Sequence, residues 1–331
     1  MERGGAEDLA ARVIAGDRRA LARAITLVES MRPGDEAAAE SLLAAVLPKA
    51  GGAFRIGVSG APGAGKSTFI EAFGLHLLGL GHSVAVLAVD PSSPRSGGAI
   101  LGDKTRMDRL AREVDAFIRP TPASGTPGGV ALATGEAIAL VESAGFDVVI
   151  VETVGVGQSE IAVADLVDMF LLLIAPGSGD ELQGVKRGIV ELADLIVVTK
   201  DDGDLRAAAG RIAADYGAAL GLQRPATPGW RTRVERCSAL TEVGIDRVAA
   251  AVFAFREVTE AARGAKRAGQ ARRRLAAAVH DALERALDAD PGLAGLRARL
   301  ESEMLDGRRS VRGAARRLAE ALLNRGPSGS A

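Results

Sequence analysis

A glycine-rich turn at residues 60–68, with the sequence GAPGAGKST, constrains the fold of this 331-residue chain more than any other feature. It matches the phosphate-binding pattern G-x-x-x-x-G-K-[ST] and lies between an apolar run at 54–59 and a helix-like stretch. Glycines allow a tight turn in which backbone N–H groups and the positive end of the following helix point at one anionic spot. The pattern therefore predicts a strand, a phosphate loop and a helix that together bind a nucleoside triphosphate.

Individual residues of this phosphate loop have predicted roles. We expect Lys66 to reach the outer phosphates and Ser67 to offer its hydroxyl to a magnesium ion, which takes oxygen ligands. The other loop residues expected to line the nucleotide are Gly60, Gly63, Ala64, Gly65 and Thr68. An ordinary glycine-rich turn is the alternative, but it would not need all four fixed positions of the pattern.

The composition is ordinary for a soluble globular protein, with 47% hydrophobic and 25% charged residues. A formal net charge of -1 supplies no broad attraction to nucleic acid or to an anionic membrane, so neither is expected as a partner. The single cysteine, Cys237, excludes an internal disulfide and suits a reducing compartment. Since no uninterrupted apolar run reaches about 18 residues, we expect a cytoplasmic location.

Short apolar runs alternate with helical patterns through the middle of the chain. The predicted strands are 54–59, 84–89, 147–151, 169–175 and 195–199, and residues 233–237 are also strand-like. The predicted helices lie near 66–80, 104–113, 128–144, 180–192, 204–220 and 244–262. Continuous apolar strands are typical of parallel sheets covered on both faces. The sequence therefore predicts an α/β three-layer P-loop NTPase domain with a mostly parallel sheet, whose binding loops cluster at the carboxyl ends of the strands.

Helical patterns flank this domain on both sides. Residues 1–50 are predicted to form an N-terminal helical extension, a hairpin broken near 31–34. The nucleotide-binding domain is expected at 51–263, followed by a C-terminal helical region at 264–325 and a disordered tail at 326–331.

Carboxylates follow two of the predicted strands. Asp90 ends the run at 84–89, and Asp103 lies in the polar loop beyond it; each could face the magnesium, or one could cap the next helix. Glu152 ends the run at 147–151, three residues before Gly155. P-loop enzymes use this arrangement to hold the magnesium shell and to sense the terminal phosphate.

Hydrolysis is expected to depend on Lys66, Asp103, Glu152 and Gly155 as the catalytic residues. Many GTPases have a water-orienting glutamine directly after the glycine, where this chain has Val156. We therefore expect slow hydrolysis unless a rearrangement or a partner accelerates it.

The run at 195–199 leads into residues 199–202, TKDD, which resemble the guanine-specifying N/T-K-x-D pattern. In that pattern Asp202 accepts two hydrogen bonds from guanine N–H groups, which adenine lacks, while the Lys200 stem covers the ring. Residues 238–240, SAL, resemble the loop that offers backbone N–H groups to the guanine oxygen. The residues expected to read the base are Thr199, Lys200, Asp202, Ser238, Ala239 and Leu240, and they predict guanine over adenine.

Four longer blocks of the sequence are specific: VDPSS at 89–93, GGAILGDKTRM at 97–107, VETVGVGQSE at 151–160 and GDELQG at 179–184. Together they resemble the MeaB/ArgK group of GTPases. The resemblance implies Mg²⁺-dependent hydrolysis of GTP to GDP, with Ser67, Asp90, Asp103 and Glu152 around the metal. It also implies homodimers formed through the C-terminal helices. Members assist cofactor loading and protection of adenosylcobalamin-dependent acyl-CoA mutases, chiefly methylmalonyl-CoA mutase.

The resemblance places a third switch at residues 177–187. Its glycines make the segment easy to rearrange, and Asp180, Gln183 and Lys186 are the expected relay to the mutase. A plain helix start, with an acidic residue at its positive end, is the alternative. The chain departs from the usual family pattern at Pro94, usually threonine, at Thr199, usually asparagine, and at Gly135, commonly arginine.

Two other function classes stay open. A metal-insertion GTPase of the hydrogenase or urease maturation type would need soft ligands, and His76, His82, His280 and Cys237 have no zinc-like or nickel-like spacing. An ATP-binding subunit or kinase of amino-acid transport is disfavoured by Asp202 and by the lack of a membrane segment.

Overall fold

The computed structural model describes residues 3–30, 32, 34–90, 107–122, 127–153, 159–177, 187–221 and 225–324. The chain divides into two compact units, Met1–Arg274 and Leu275–Ala331. The division falls inside one continuous helix, Ile245–Ala289. The domain boundary predicted at residue 263 lies within the same helix.

Within the described residues, seven strands form one sheet in which all neighbours are parallel, in the order β3-β2-β4-β1-β5-β6-β7. The strands are β1 Phe54–Gly60, β2 Val84–Asp90, β3 Ala116–Pro122, β4 Val148–Thr153, β5 Met169–Ile174, β6 Leu195–Val198 and β7 Arg233–Arg236. The α/β fold class is thus confirmed. β3 was not predicted because its sequence, AFIRPTP, contains two prolines and an arginine. An edge strand tolerates proline, since only one side needs ladder hydrogen bonds.

Helices cover both faces of the sheet. They are α1 Arg3–Ile14, α2 Arg18–Val28, α3 Asp35–Val46, α4 Lys66–Gly79, α5 Pro127–Ser143, α6 Ser159–Ala164, α7 Arg187–Val190, α8 Arg206–Leu220 and α9 Ile245–Ala289, followed by α10 Pro291–Leu305 and α11 Val311–Leu323. On one face, α1–α3, α5, α6 and α8 form a core with every second residue of the strands; on the other face α4 and the start of α9 do so. Both faces of each central strand are therefore apolar, as predicted.

The N-terminal extension contains α1, α2 and α3 where a two-helix hairpin was predicted. Gly16 adopts a left-handed φ of +81°, which ends α1. Asp17 then caps α2, and its carboxylate accepts from the backbone N–H of Arg19 at 2.9 Å and of Ala20 at 3.0 Å. A glycine and a capping aspartate thus make a second break that the apolar spacing alone did not indicate.

The prediction of a helix at 104–113 is wrong for residues 107–113, the part of this range that the structure describes. From Met107 to Glu113 the chain makes a 3-10 turn at Leu110–Arg112. Leu110 packs so closely over α4 that a Cβ at Gly74 would lie 2.7 Å from its Cδ2. Of the helix predicted at 180–192, only α7 falls in the described residues. No helix in the described ranges is long and apolar enough to cross a membrane.

Candidate nucleotide site

The phosphate loop connects β1 to α4, as its sequence predicts. Gly63 and Gly65 both have φ of +83°, the left-handed region that glycine enters freely. Gly60 is needed for a different reason. A Cβ there would lie 2.5 Å from the carbonyl oxygen of Leu173 on the neighbouring strand β5, and a backbone atom cannot move aside.

Lys66 begins α4, and its side chain turns back over the loop. The Nζ donates to the carbonyl oxygen of Gly60 at 2.8 Å and to that of Ala61 at 3.4 Å. The ammonium group is therefore held against the loop backbone, beside the N-terminus of α4. A cation and a helix N-terminus at one place make an anion-binding environment.

Ser67 and Glu152 meet at the carboxyl ends of β1 and β4. The Ser67 hydroxyl donates to Glu152 Oε1 at 3.2 Å, and Glu152 is 4% exposed. Strand pairing brings them together, since Val58 is the register partner of Glu152. A hydroxyl and a carboxylate are the oxygen ligands that Mg²⁺ takes, so the donor set fits the expected metal. The backbone of Asp90 ends β2, next to β4 in the sheet.

A buried hydrogen bond that the sequence did not suggest supports this corner. The Thr153 hydroxyl donates to the Ser59 hydroxyl at 2.9 Å, and neither side chain is exposed. It joins the residue after Glu152 to the residue before the phosphate loop. The available signal was a small polar residue at the end of each of two apolar strands.

The candidate base-reading residues lie at the ends of β6 and β7. The Asp202 carboxylate accepts from the Ser238 hydroxyl, and Ser238 Oγ in turn accepts from the backbone N–H of Thr241 at 3.2 Å. These bonds fix the orientation of the carboxylate. Lys200 adopts a left-handed φ of +56°, which turns the chain between Thr199 and Asp202. Leu240 is exposed and Ala239 is half-buried.

Thr199 connects these residues to the phosphate loop. Its hydroxyl donates to the carbonyl oxygen of Ala64 at 2.7 Å, and both residues are buried. Cys237 lies nearby, and its pKa is raised to about 12, mainly by burial and to a lesser extent by the charge of Asp201. Cys237 is therefore a neutral buried thiol.

The departure from the family pattern at Gly135 has a spatial counterpart. A Cβ at Gly135 would collide with the guanidinium group of Arg274 on α9, so the glycine leaves room for that side chain. The predicted site residues Asp103, Gly155, Asp180, Gln183 and Lys186, together with Pro94, lie outside the described residues.

The structure thus brings the phosphate loop, Glu152, residues 199–202 and Ser238 to one edge of a parallel sheet. Together with the strand order, this defines a P-loop NTPase. The chain belongs to the MeaB family: the family model described as "Methylmalonyl Co-A mutase-associated GTPase MeaB" matches residues 21–291. It is a GTPase that hydrolyses GTP, and the predicted family and activity are confirmed.

Relatives and a solved structure agree with this membership. A Caulobacter vibrioides relative, whose name describes it as a GTPase, is 54% identical over 95% of this chain and 97% of its own length. The mouse protein named "Methylmalonic aciduria type A homolog, mitochondrial" is 55% identical over 70% of this chain and 59% of its own. A crystal structure titled as an LAO/AO transport system kinase has 37% identity and a TM-score of 0.78, covering 98% of this chain and 99% of that one.

Proposed function

We propose that this GTPase assists an adenosylcobalamin-dependent acyl-CoA mutase, most directly methylmalonyl-CoA mutase, in loading and protecting its cofactor. The observation that carries the proposal is the family match over 271 residues, 21–291, to GTPases described as associated with that mutase. The mouse relative's name points the same way. The same match favours this role over metal insertion. We place the protein in the cytoplasm, where a reducing environment suits a single buried cysteine.

The phosphate loop and Glu152 are proposed to carry hydrolysis. Lys66 would contact the outer phosphates, and Ser67 with Glu152 would hold Mg²⁺, with Asp90 and Asp103 completing its surroundings. Bound there, Mg²⁺ would neutralise charge on the transferring phosphoryl group. Gly155 would report the terminal phosphate through its backbone N–H, and the segment with Asp180, Gln183 and Lys186 would relay the nucleotide state to the mutase.

Asp202 is proposed to select guanine, with its carboxylate already oriented by Ser238. Asp202→Asn should weaken GDP binding by at least about a hundredfold and favour xanthine nucleotides, whose C2 carbonyl replaces the guanine donor. Titration with fluorescent GDP, XDP and ADP measures this. Asp204→Asn, the same change at an exposed position two residues on, is the matched control and should leave GDP affinity within about twofold. Unchanged GDP affinity in Asp202→Asn would disprove the base-reading role.

The second unit supports a homodimer. In its described part, 275–324, only four apolar side chains are buried: Leu287, Leu293, Leu300 and Ala314. Leu275, Val279 and Leu283, four residues apart on α9, are 64%, 50% and 46% exposed. Such a stripe on one helical face is typical of a helix that packs against another. We propose a second copy of this chain as the occupant.

The mutase role is tested with the purified chain and methylmalonyl-CoA mutase. We expect a complex, faster GTP hydrolysis when the mutase is added, and slower inactivation of the mutase during turnover. Lys66→Ala is the control that removes the nucleotide-dependent part of both effects. If the chain binds and hydrolyses GTP but neither binds the mutase nor responds to it, the partner assignment is wrong and the GTPase assignment stands.

A further inference from the structure

A row of polar side chains on the middle of α9 makes hydrogen bonds and ion pairs with one corner of the sheet. The row, which we call the α9 row, consists of Lys266, Arg267, Gln270 and Arg273. Residues three and four positions apart share one face of a helix, so all four side chains project to the same side. The corner, Ala164–Asp168, is where α6 ends and β5 begins. We call it the α6–β5 corner.

The α9 row donates hydrogen bonds to carbonyl oxygens at the end of α6 and in the turn that follows it. Gln270, 2% exposed, donates from Nε2 to the carbonyl oxygen of Val167 at 2.8 Å and to that of Ala164 at 3.2 Å. Lys266 Nζ donates to the carbonyl oxygen of Asp168 at 2.5 Å. The last carbonyls of a helix have no partner within it, and Gln270 supplies one to Ala164, the last residue of α6.

Charges reinforce the same contact. The Arg267 guanidinium binds the Asp168 carboxylate through two bonds, Nε to Oδ1 at 2.7 Å and Nη2 to Oδ2 at 2.6 Å. It also donates to the carbonyl oxygens of Gly51 at 2.7 Å and Ala53 at 2.6 Å, just before β1. Asp168 is 2% exposed and accepts a further bond from the backbone N–H of Arg55, at 2.9 Å. Arg267 therefore joins the α6–β5 corner to the entry of β1.

Both segments bound by the α9 row, the entry of β1 and the end of α6, lead to the nucleotide site. β1 runs from Phe54 to the phosphate loop, and α6 begins at Ser159, seven residues after Glu152. α6 has six residues and is thus about 9 Å long, so it moves as one body. Holding its C-terminal end fixes where its N-terminal end lies. The α9 row lies at the amino ends of β1 and β5, and the nucleotide site lies at the carboxyl ends of the strands. Through α6, the row can therefore influence the position of the chain that follows Glu152.

We propose that the α9 row is a latch that positions α6 for GTP hydrolysis, and that nucleotide exchange in turn changes the grip of α9 on the α6–β5 corner. Its members are positioning residues, since they bond to the corner and to the entry of β1. The inference deepens the proposed function, because it rests on Glu152 serving the phosphates. Coupling of this kind is reciprocal for binding free energies.

The main variant is Gln270→Met, which keeps the length of the side chain and removes both hydrogen bonds. We expect kcat for GTP to fall by about 2- to 30-fold, while GDP affinity stays within about twofold of wild type. The concentration of folded protein is measured from the stoichiometry of GDP binding. Because kcat is then calculated per folded molecule, a variant that only reduces the folded fraction would leave kcat unchanged. Arg267→Lys should retain more activity than Arg267→Met. Arg272→Gln, at an exposed neighbour on α9, is the control that should match wild type.

Hydrogen exchange of the wild-type chain tests the reverse direction and needs no variant. Exchanging GDP for a non-hydrolysable GTP analogue should alter protection in α6 and also in α9 between residues 263 and 274. The latch proposal is refuted if hydrogen-exchange protection in α9 is the same with GDP and with the GTP analogue. It is also refuted if Gln270→Met keeps the wild-type kcat while Glu152→Gln still impairs Mg²⁺-dependent hydrolysis. If Glu152→Gln has no effect, it is the proposed role of Glu152 that fails.

Discussion

Thr199→Val tests whether the proposed base-reading residues and the phosphate loop depend on one hydrogen bond. Valine has almost the shape of threonine but cannot donate, so the change removes the 2.7 Å bond from the Thr199 hydroxyl to the Ala64 carbonyl oxygen. Both residues are buried, at 3% and 1% exposure, so water cannot readily replace the donor. Leaving a buried carbonyl unsatisfied costs about 1–3 kcal/mol.

That free energy sets the expected measurements. A loss of about 1–3 kcal/mol lowers the melting temperature by roughly 2–12 °C, at about 2–4 °C per kcal/mol for a domain of this size. Because the bond joins two parts of the same site, GDP affinity should fall by up to about 150-fold, while guanosine, which needs only the base-reading residues, should be affected less. Thermal melting and calorimetric titration with GDP and guanosine give these values.

Thr199→Ser is the control for this prediction, since serine keeps the hydroxyl and loses only a methyl group. It should retain most of the GDP affinity. If Thr199→Val melts within about 1 °C of wild type and binds GDP within about twofold, the bond does not organise the site and the reasoning is refuted.

Two further predictions concern a glycine and a half-buried acid. Gly60→Ala should abolish GDP binding or folding because its Cβ would lie 2.5 Å from the Leu173 carbonyl oxygen; Gly63→Ala, with open space at φ +83°, should cost only about 1–2 kcal/mol. GDP titration and thermal melting distinguish the two, and equal effects would contradict the steric argument. Burial raises the pKa of Glu136 from 4.5 to about 7. Between these two pH values the folded state binds the proton and the unfolded state has lost it, so the free energy of unfolding falls as the pH rises from about 4.5 to about 7. Glu136→Gln should remove that fall in urea unfolding at about pH 5 and about pH 8, and an unchanged pH profile would exclude Glu136 as its source.

Local patterns in the sequence were enough to predict much of this protein. The turn at 60–68, the apolar runs before it and after it, and the TKDD motif each depend on residues close together in the chain. Glycine freedom, strand burial and strand-end polarity act over such short stretches. The phosphate loop, its flanking strand and helix and the parallel sheet were therefore predicted correctly. The same local reasoning missed β3, whose prolines are tolerated only because it is an edge strand, and the break between α1 and α2.

Contacts between distant segments were decided by the tertiary structure alone. The bonds from Thr199 to Ala64, from Thr153 to Ser59 and from Ser67 to Glu152 exist because β6, β4 and β1 lie at particular positions in the sheet. Likewise, nothing in the sequence of residues 266–273 indicates that their side chains bond to the end of α6 and the turn after it. Strand order and helix packing follow from the burial of the apolar faces of whole helices and strands. The partner of a polar side chain is therefore fixed only once those elements have packed together.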